Sequence, residues 1–500
     1  MSEKQHFHPL ALLVNFFYLV RGTFYLFLLI LFQNNQGILR GGWLAGGLLF
    51  LLLCYAGVKY WFAYYEISPE QVVVYQGIFR KKETILPYER MQTIKQRQWF
   101  FFRPFGVTQV LIETAGGNGA KAEASLPAVP QQVLEQIETY RQKELAASQA
   151  ALPLAESLGE MRAENNTLPQ PEINGAASNQ TTATYVYQIT NGQICLFGLT
   201  DLSMLAAALA LLAVVQEIPA RQLEEALTFS SHLLRGGWLV ILGLVVLGVL
   251  LLIGVSLIRN FMHYYHFQVS RDNQTLTIES GLLERKVQKI PLEKIQGIRV
   301  NQQVLRKFLG LSSVELLLAG GQESSGEAGS SKLYFLPIVS DRLLYEVLQF
   351  LLPEWHFEKP QLHYCGRDKL WYFLRWFLWL VPVSGVAFFF NPWVGGVLTL
   401  VTALFLFGAG LDSRFQGYQI QSSQRICVQG YLFLTRRLTY VEKNKIQDLT
   451  VTSSYWLAKK GLGGLQLALK EGNGSLLLEL RYLEEQLLGE LQGFFRKTKA

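Results

Sequence analysis

Residues 267–298 read FQVSRDNQTLTIESGLLERKVQKIPLEKIQGI. Polar and apolar residues alternate on both sides of Gly281, which predicts two strands that pack one face on a core. Gly281 lies between them, where a hairpin turn needs a residue that tolerates positive φ. The basic pair Arg285-Lys286 comes soon after this glycine. The pattern therefore predicts a small antiparallel β-domain.

Two further stretches follow the same pattern. Residues 65–94 read YEISPEQVVVYQGIFRKKETILPYERMQTI, and residues 418–449 read YQIQSSQRICVQGYLFLTRRLTYVEKNKIQDL. Each stretch places a glycine at the predicted hairpin turn: Gly77, Gly281 and Gly430. The apolar segments repeat as well, because LRGGWL occurs at Leu39–Leu44 and again at Leu234–Leu239. We therefore expect a triplicated chain.

Composition narrows the class of protein. Half of the 500 residues are hydrophobic, 17% are charged, and the mean hydropathy is +0.20. A disordered chain would be more polar, and an ordinary cytosolic enzyme would be about 25% charged. Four cysteines exclude a disulfide scaffold, and in a membrane protein a net charge of +7 favours anionic lipid over nucleic acid. The composition predicts an integral membrane protein with substantial polar domains.

Six apolar stretches reach the length of about 20 residues that a membrane-spanning helix needs. They are Leu10–Phe32, Trp43–Tyr65, Leu196–Val215, Leu239–Ile258, Trp371–Phe390 and Trp393–Leu411. They fall into three pairs, and each pair predicts a helical hairpin. The first stretch is too long for a cleaved signal peptide, so we expect it to remain as the targeting signal.

These patterns divide the chain into seven parts. We predict transmembrane hairpins at 10–65, 196–258 and 371–411, β-domains at 66–145, 259–357 and 412–500, and a flexible linker at 146–183. Each β-domain ends in a helical pattern, which gives an α+β arrangement.

Lys and Arg are distributed unevenly about the hairpins. Residues 59–162, 259–369 and 414–499 hold 12, 14 and 13 of them, whereas the turns inside the hairpins hold one, two and none. Because cytoplasmic segments carry the excess of Lys and Arg, we expect all three polar regions and both termini to face the cytoplasm.

The unit of strand, glycine, basic residues, strand, Pro-x-x-[KR]-[IM]-Gln and Leu/Phe-Gly resembles the second family of bacterial pleckstrin-homology (PH) domains. Three such units behind paired membrane segments resemble the YdbT-type bacterial membrane proteins. The resemblance implies a multi-pass protein of the bacterial cell membrane with PH-like β-barrels or sandwiches, each with a C-terminal helix. It also implies a smaller YdbS-like PH membrane protein as partner, and a link to tolerance of membrane-active bacteriocins. In the third unit Thr439-Tyr440 replaces Ile290-Pro291 and two residues are inserted, which predicts a degenerate domain.

Basic clusters follow the hairpin glycines, where cations and strand-edge N–H groups can hold a phosphate. The lipid-headgroup candidates are Arg80, Lys81, Lys82, Arg285, Lys286, Arg436 and Arg437. A solvated strand face, or anchoring by the positive-inside rule, explains the same charges without a specific ligand.

Three polar residues fall in or near the apolar stretches: Arg21, Asp201 and Arg375. Such residues are costly in a membrane and often functional. The competing interpretation is a helix end whose Arg side chain reaches the interface, and a cytoplasmic end position for Asp201.

Catalytic, metal and nucleotide motifs are missing from the sequence. It holds no Cys-x-x-Cys, His-Glu-x-x-His, Gly-x-Ser-x-Gly or phosphate-loop motif. We therefore expect a non-enzymatic membrane protein without cofactor or metal, whose PH-like domains bind lipid surfaces and proteins, in an envelope-stress or bacteriocin-tolerance complex. A transporter or lipid-handling protein is the alternative, and a membrane enzyme is the third possibility.

Overall fold

The computed structural model describes residues 4–32, 38–78, 80–114, 124–144, 185–200, 237–272, 274–319, 333–471 and 474–496. The chain divides into two compact units. The first comprises Met1–Thr184, Thr275–Glu279 and Leu283–Ile290, and the second comprises Tyr185–Gln274, Ser280–Leu282 and Pro291–Ala500. The predicted linker at 146–183 and Asp201 lie outside the described residues.

The helices of the described residues fall into long apolar ones and short ones that end a β-domain or connect its strands. They are α1 (Leu10–Phe32), α2 (Ile38–Trp61), α3 (131–144), α4 (Asn191–Leu199), α5 (Gly237–Tyr264), α6 (Val304–Phe308), α7 (Leu344–Leu351), α8 (Leu370–Leu374), α9 (Leu380–Phe390), α10 (Pro392–Phe415), α11 (Tyr455–Ala458) and α12 (Glu485–Arg496).

The strands are short and antiparallel wherever their pairing is described. They are β1 (Gln5–His6), β2 (Tyr64–Ile67), β3 (Gln71–Gln76), β4 (Lys82–Pro87), β5 (Met91–Trp99), β6 (Val107–Thr114), β7 (Ala124–Pro130), β8 (Tyr185–Gln188), β9 (Gln268–Asp272), β10 (Thr275–Ser280), β11 (Glu284–Pro291), β12 (Ile295–Gln303), β13 (Leu311–Leu318), β14 (Tyr334–Ser340), β15 (His363–Tyr364), β16 (Gly417–Ser422), β17 (Arg425–Leu432), β18 (Thr435–Glu442), β19 (Ile446–Thr452), β20 (Leu462–Glu471) and β21 (Gly474–Glu484).

The same order of elements occurs three times along the chain: three strands, a short 3₁₀ turn, three strands and a helix. The turns are Tyr88–Arg90, Leu292–Lys294 and Lys443–Lys445. We call the three stretches segment 1 (64–144), segment 2 (268–351) and segment 3 (417–496). The predicted α+β class is confirmed. Segment 3 has all of its strands and its helix, so the predicted degeneration is wrong for the elements.

The core of segment 1 shows why alternation produces this fold. Val72 and Val74 of β3 and Ile94 of β5 point inward, each no more than 3% exposed. Helix α3 closes the core with Ile137, which is fully buried. Burying each such side chain contributes about 1.5–3 kcal/mol, so strand alternation and the helix stabilise the segment together.

The hairpin glycines differ in conformation. Gly77 has φ +116° and Gly281 has φ +112°, as the sequence pattern predicts. Gly430 lies inside β17 instead, and Phe433 with φ 56° supplies the positive φ of that turn. The prediction for Gly430 is wrong because the two inserted residues lengthen the hairpin and move its turn.

Two strand pairs join consecutive segments. β11 of segment 2 pairs antiparallel with β5 of segment 1, and Lys286 lies opposite Arg97. β18 of segment 3 pairs antiparallel with β12 of segment 2, and Arg437 lies opposite Asn301. Each join thus adds the third strand of one segment to the fourth strand of the segment before it.

Two helices among the described residues are long and apolar enough to cross a membrane, by length and composition: Val246–Tyr264 in α5 and Val394–Phe415 in α10. Shorter apolar helical stretches are Leu10–Phe24, Gly46–Trp61 and Leu380–Phe390. Helix α1 packs on α2, and α9 packs on α10.

The predicted span Trp371–Phe390 is not one continuous helix. Helix α8 ends at Leu374, residues 375–379 form turns, and α9 begins at Leu380. Pro382 explains the break, because a proline has no backbone N–H to donate and its ring clashes with the carbonyl four residues earlier. The expectation of an uninterrupted span is therefore wrong at this position.

Candidate lipid-headgroup site

The first basic cluster lies at an exposed hairpin. Arg80, Lys81 and Lys82 follow Gly77, and all three are exposed. Lys82 begins β4, while the other two lie before the strand. The fold leaves the three side chains of this cluster open to solvent.

The second cluster lies within a sheet. Arg285 and Lys286 belong to β11, which pairs with β5. The Arg285 guanidinium lies 2.6 Å from a carboxylate oxygen of Glu279, and the Lys286 ammonium lies 3.8 Å from Glu284. These charges support the sheet locally, so this cluster is the weakest of the three candidates for a headgroup.

The third cluster divides between two roles. Arg436 donates through Nε to the side-chain oxygen of Gln429 at 2.7 Å, which holds it against the sheet. Arg437, the next residue along β18, lines a cavity of about 570 Å³. Alternation along the strand therefore sends one Arg to a structural partner and the other to the cavity.

Four elements of the second unit enclose this cavity, which we call the arginine cavity. Its wall is formed by these four elements together with Arg299 of β12: α10, the β17–β18 hairpin, β21 and the region of α8 with the following turn. Gly408 of α10 permits the close approach, because a Cβ there would lie 2.9 Å from the carbonyl oxygen of Phe433. The absence of a side chain at Gly408 thus allows the β17–β18 turn to pack directly against α10.

The polar wall of the arginine cavity carries three guanidinium groups and two carboxylates: Arg299, Arg437, Arg481, Asp412 and Glu479. Glu479 forms an ion pair with Arg481 at 2.7 Å, and Asp412 accepts a hydrogen bond from the backbone N–H of Tyr431 at 2.7 Å. Arg299, which is 7% exposed, lies 3.9 Å from Glu315. The residues that line the cavity include one guanidinium group more than carboxylates, and a guanidinium group can hold an anion.

The opposite wall is aromatic. Phe377 stacks on Phe405 with ring centroids 5.5 Å apart, and Phe433 meets Phe405 edge-on at 5.4 Å. Trp376 also lines the cavity and is 70% exposed. Since Phe405 belongs to the candidate span Val394–Phe415, the cavity lies between a cationic wall and the apolar surface of this helix.

The polar residues of the apolar stretches have different settings. Arg375 lies in the turn between α8 and α9, with its guanidinium carbon 5.5 Å from the ring centroid of Tyr372 and 5.7 Å from that of Tyr482. Arg21 lies within α1. The break in the helix thus places Arg375 among aromatic rings at a helix end, where a cation–π contact stabilises it.

Sequence patterns pointed to Arg437 but missed Arg299 and Arg481. These three residues come from β12, β18 and β21, which are distant in sequence and meet only through the fold. Arg299 lies between Ile298 and Val300 in β12, and a charge that is buried at such a position requires a partner or a ligand.

Comparison with known proteins supports the family suggested by the pattern. Residues 14–145 and 237–338 match the bacterial PH domain family. The UPF0699 transmembrane protein YdbT of Bacillus subtilis (strain 168) is 25% identical over 500 residues, which cover 97% of each chain. No solved structure matches this chain. The predicted resemblance is therefore confirmed.

Proposed function

We propose that this membrane protein, whose residues 14–145 and 237–338 match the bacterial PH domain family, uses its PH-like segments to bind anionic lipid and partner proteins. One observation carries the proposal: the arginine cavity lies between a cationic strand pair and a candidate membrane helix. An anionic phospholipid has the same two parts, a charged phosphate and an apolar body.

The geometry suggests how a headgroup is held. Arg437 and Arg481 would donate to phosphate oxygens, because guanidinium groups bind phosphate in a two-pronged arrangement. The acyl chains would lie along Trp376 and Phe405. Attachment to a membrane helix keeps the segment at the headgroup level, where each Lys or Arg contributes about 1 kcal/mol against an anionic leaflet.

The proposed arrangement in the membrane is three hairpins with all three PH-like segments and both termini in the cytoplasm. The uneven distribution of Lys and Arg supports this orientation. Two candidate spans and the paired helices α1–α2 and α9–α10 support a protein with several membrane passes. A role in envelope stress or bacteriocin tolerance, and a small YdbS-like partner, are proposed from the resemblance alone.

Photo-crosslinking tests the lipid site in the full-length protein. The photoreactive amino acid p-benzoylphenylalanine replaces Trp376, and the protein is reconstituted into vesicles that contain phosphatidylglycerol. Trp456, which is 75% exposed and does not line the arginine cavity, provides the matched control position. We expect phosphatidylglycerol adducts at position 376, reduced several-fold by Arg437→Gln because one phosphate contact is lost.

Arg285→Gln removes the same charge from the cluster that pairs within the sheet, so it controls for general surface electrostatics. Its adduct yield at position 376 should equal that of the unaltered chain. Equal yields from Arg437→Gln and the unaltered chain, or equal labelling by phosphatidylcholine, would contradict the proposal.

A further inference from the structure

The two joins between segments share one register. Lys286 lies five residues before the last residue of β11, and Arg437 lies five residues before the last residue of β18. Their partners Arg97 and Asn301 each lie six residues after the first residue of β5 and β12. The same strand positions therefore meet at both joins, which defines a repeating interface.

Among the strands that the structure describes, each end of this series leaves one strand edge unpaired. β4 is the outermost strand of the sheet β1-β2-β3-β4, and β19 is the outermost strand of the sheet β19-β20-β21. Within the described ranges, no strand pairs with the outer edge of either one. β4 is the counterpart of β11 and β18, and β19 is the counterpart of β5 and β12, so the two edges are the two halves of one join.

The side chains of these two edge strands are more exposed than their counterparts in the paired strands, as expected for edges that can accept a further strand. Tyr440, two residues before the end of β18, is 2% exposed, whereas its counterpart Ile85 in β4 is 53% exposed. β12 is buried along nearly its whole length, whereas β19 is exposed at alternate positions. An apolar side chain on an unpaired edge favours addition of another strand.

We propose that β4 of one copy of this chain pairs antiparallel with β19 of a second copy and continues the series of joins. The shared register places Lys82 opposite Thr452, Thr84 opposite Thr450, and Ile85 opposite Leu449. No like charges meet, and Ile85 packs on Leu449, which is half-buried against the core of segment 3. The contact is head-to-tail, because each copy contributes a different edge.

Charge and proline on β4 do not argue against pairing. Lys and Pro are common on edges that proteins protect from association. Yet β11 carries Lys286, Lys289 and Pro291 and still pairs with β5. The chain itself therefore shows that a strand of this composition forms the join.

A second copy is the occupant that the structure favours. A partner must present the counterpart of one edge in the right register, and this chain carries both counterparts. Both existing joins are examples of the same contact, so a further copy needs no new interface. This inference concerns strand edges outside the arginine cavity, and its test does not depend on lipid binding.

Disulfide trapping in full-length protein tests the pairing. Exposed Cys54 and Cys195 are replaced by serine, and Thr84→Cys and Thr450→Cys are made in separate, differently tagged chains. Because each chain carries one new cysteine, a bond between them joins two copies. Gln466→Cys is the control, since Gln466 lies opposite Thr450 one strand further in.

Co-reconstituted Thr84→Cys and Thr450→Cys chains should give a mixed disulfide at least about tenfold faster than Thr84→Cys with Gln466→Cys. Directly opposite Cβ atoms lie about 5 Å apart, whereas one strand further they lie about 10 Å apart. A mixed disulfide no faster than the control, in proteins with unchanged melting temperature, would overturn the proposal. Faster dimerisation of Thr84→Cys alone would also overturn it, because it would indicate β4 pairing with β4.

Discussion

Gly77 and Gly430 occupy the same place in the sequence pattern but different backbone conformations. A Cβ on Gly77 would overlap the carbonyl oxygen of Arg80, and its φ of +116° is unfavourable for any side chain. A Cβ on Gly430 would meet only Asp412 Oδ1, at 3.5 Å. Gly77→Ala should therefore lower the free energy of unfolding by about 1–3 kcal/mol, and Gly430→Ala by less than about 0.5 kcal/mol.

Thermal unfolding of the full-length protein in detergent provides the measurement. Equal losses for the two alanine variants would contradict the assignment of the positive-φ turn residue to Gly77 in segment 1 and to Phe433 in segment 3.

A second prediction at the residue scale concerns Glu354, whose ion pair makes the stability of the fold depend on pH. Arg271 donates to Glu354 at 2.9 Å, and this hydrogen bond holds the pKa of the Glu354 carboxyl below its ordinary value. A carboxyl with a lowered folded-state pKa stabilises the fold above the unfolded pKa of about 4.3, and this contribution is lost as pH falls through the folded pKa. Because the side chain is 55% exposed, we expect less than about 1 kcal/mol.

The melting temperature of the unaltered chain should therefore exceed that of Glu354→Gln at pH 6, and the difference should shrink toward pH 3. A difference that stays constant over that range would show that the ion pair does not supply it.

At the scale of elements, the join between β12 and β18 depends on Tyr440. This residue is 2% exposed, lies opposite Ile298, and meets the ring of Phe357 edge-on at 5.3 Å. Tyr440→Ala should cost about 3–5 kcal/mol, as truncation of a large buried side chain does. Its counterpart Ile85 is exposed, so Ile85→Ala in dilute detergent should cost less than about 1 kcal/mol.

Apparent melting temperatures of the two variants, measured side by side, check this prediction. A larger loss for Ile85→Ala would mean that β4 is already covered within one chain.

Local sequence patterns predicted the positions of strands better than they predicted which strands pair with each other. The alternation of polar and apolar residues and the glycine at position 77 predicted β3, β4 and their turn, because these elements depend on residues that are close in sequence. The pairing of β11 with β5 joins residues almost 200 positions apart, and periodicity holds no information about it. Hydropathy also overlooked the break before Pro382, since the apolar run continues through it.

At the scale of the whole molecule, the sequence located one part of the candidate site. Arg437 was predicted from its cluster, whereas Arg299 and Arg481 reach the arginine cavity only because three distant strands converge. The clusters at Arg80 and Arg285 follow the same pattern but face solvent and a neighbouring strand. The sequence pattern identified basic residues as candidates for binding an anion. Tertiary packing determines which of the three basic clusters lines a cavity.

Orientation is a second whole-molecule prediction. A cysteine introduced within residues 217–231 should react with a membrane-impermeant reagent in intact cells, because this stretch joins two predicted spans on the outer side. A cysteine within 146–183 should be protected. Protection of the first with labelling of the second would reverse the proposed topology.

Native mass spectrometry of the delipidated full-length protein, titrated with phosphatidylglycerol, tests the central claim most directly. The account predicts a bound lipid whose affinity falls about tenfold in Arg437→Gln, or about 1.4 kcal/mol, and stays unchanged in Arg285→Gln. Equal affinities in both variants and the unaltered chain would contradict the arginine cavity as the headgroup site.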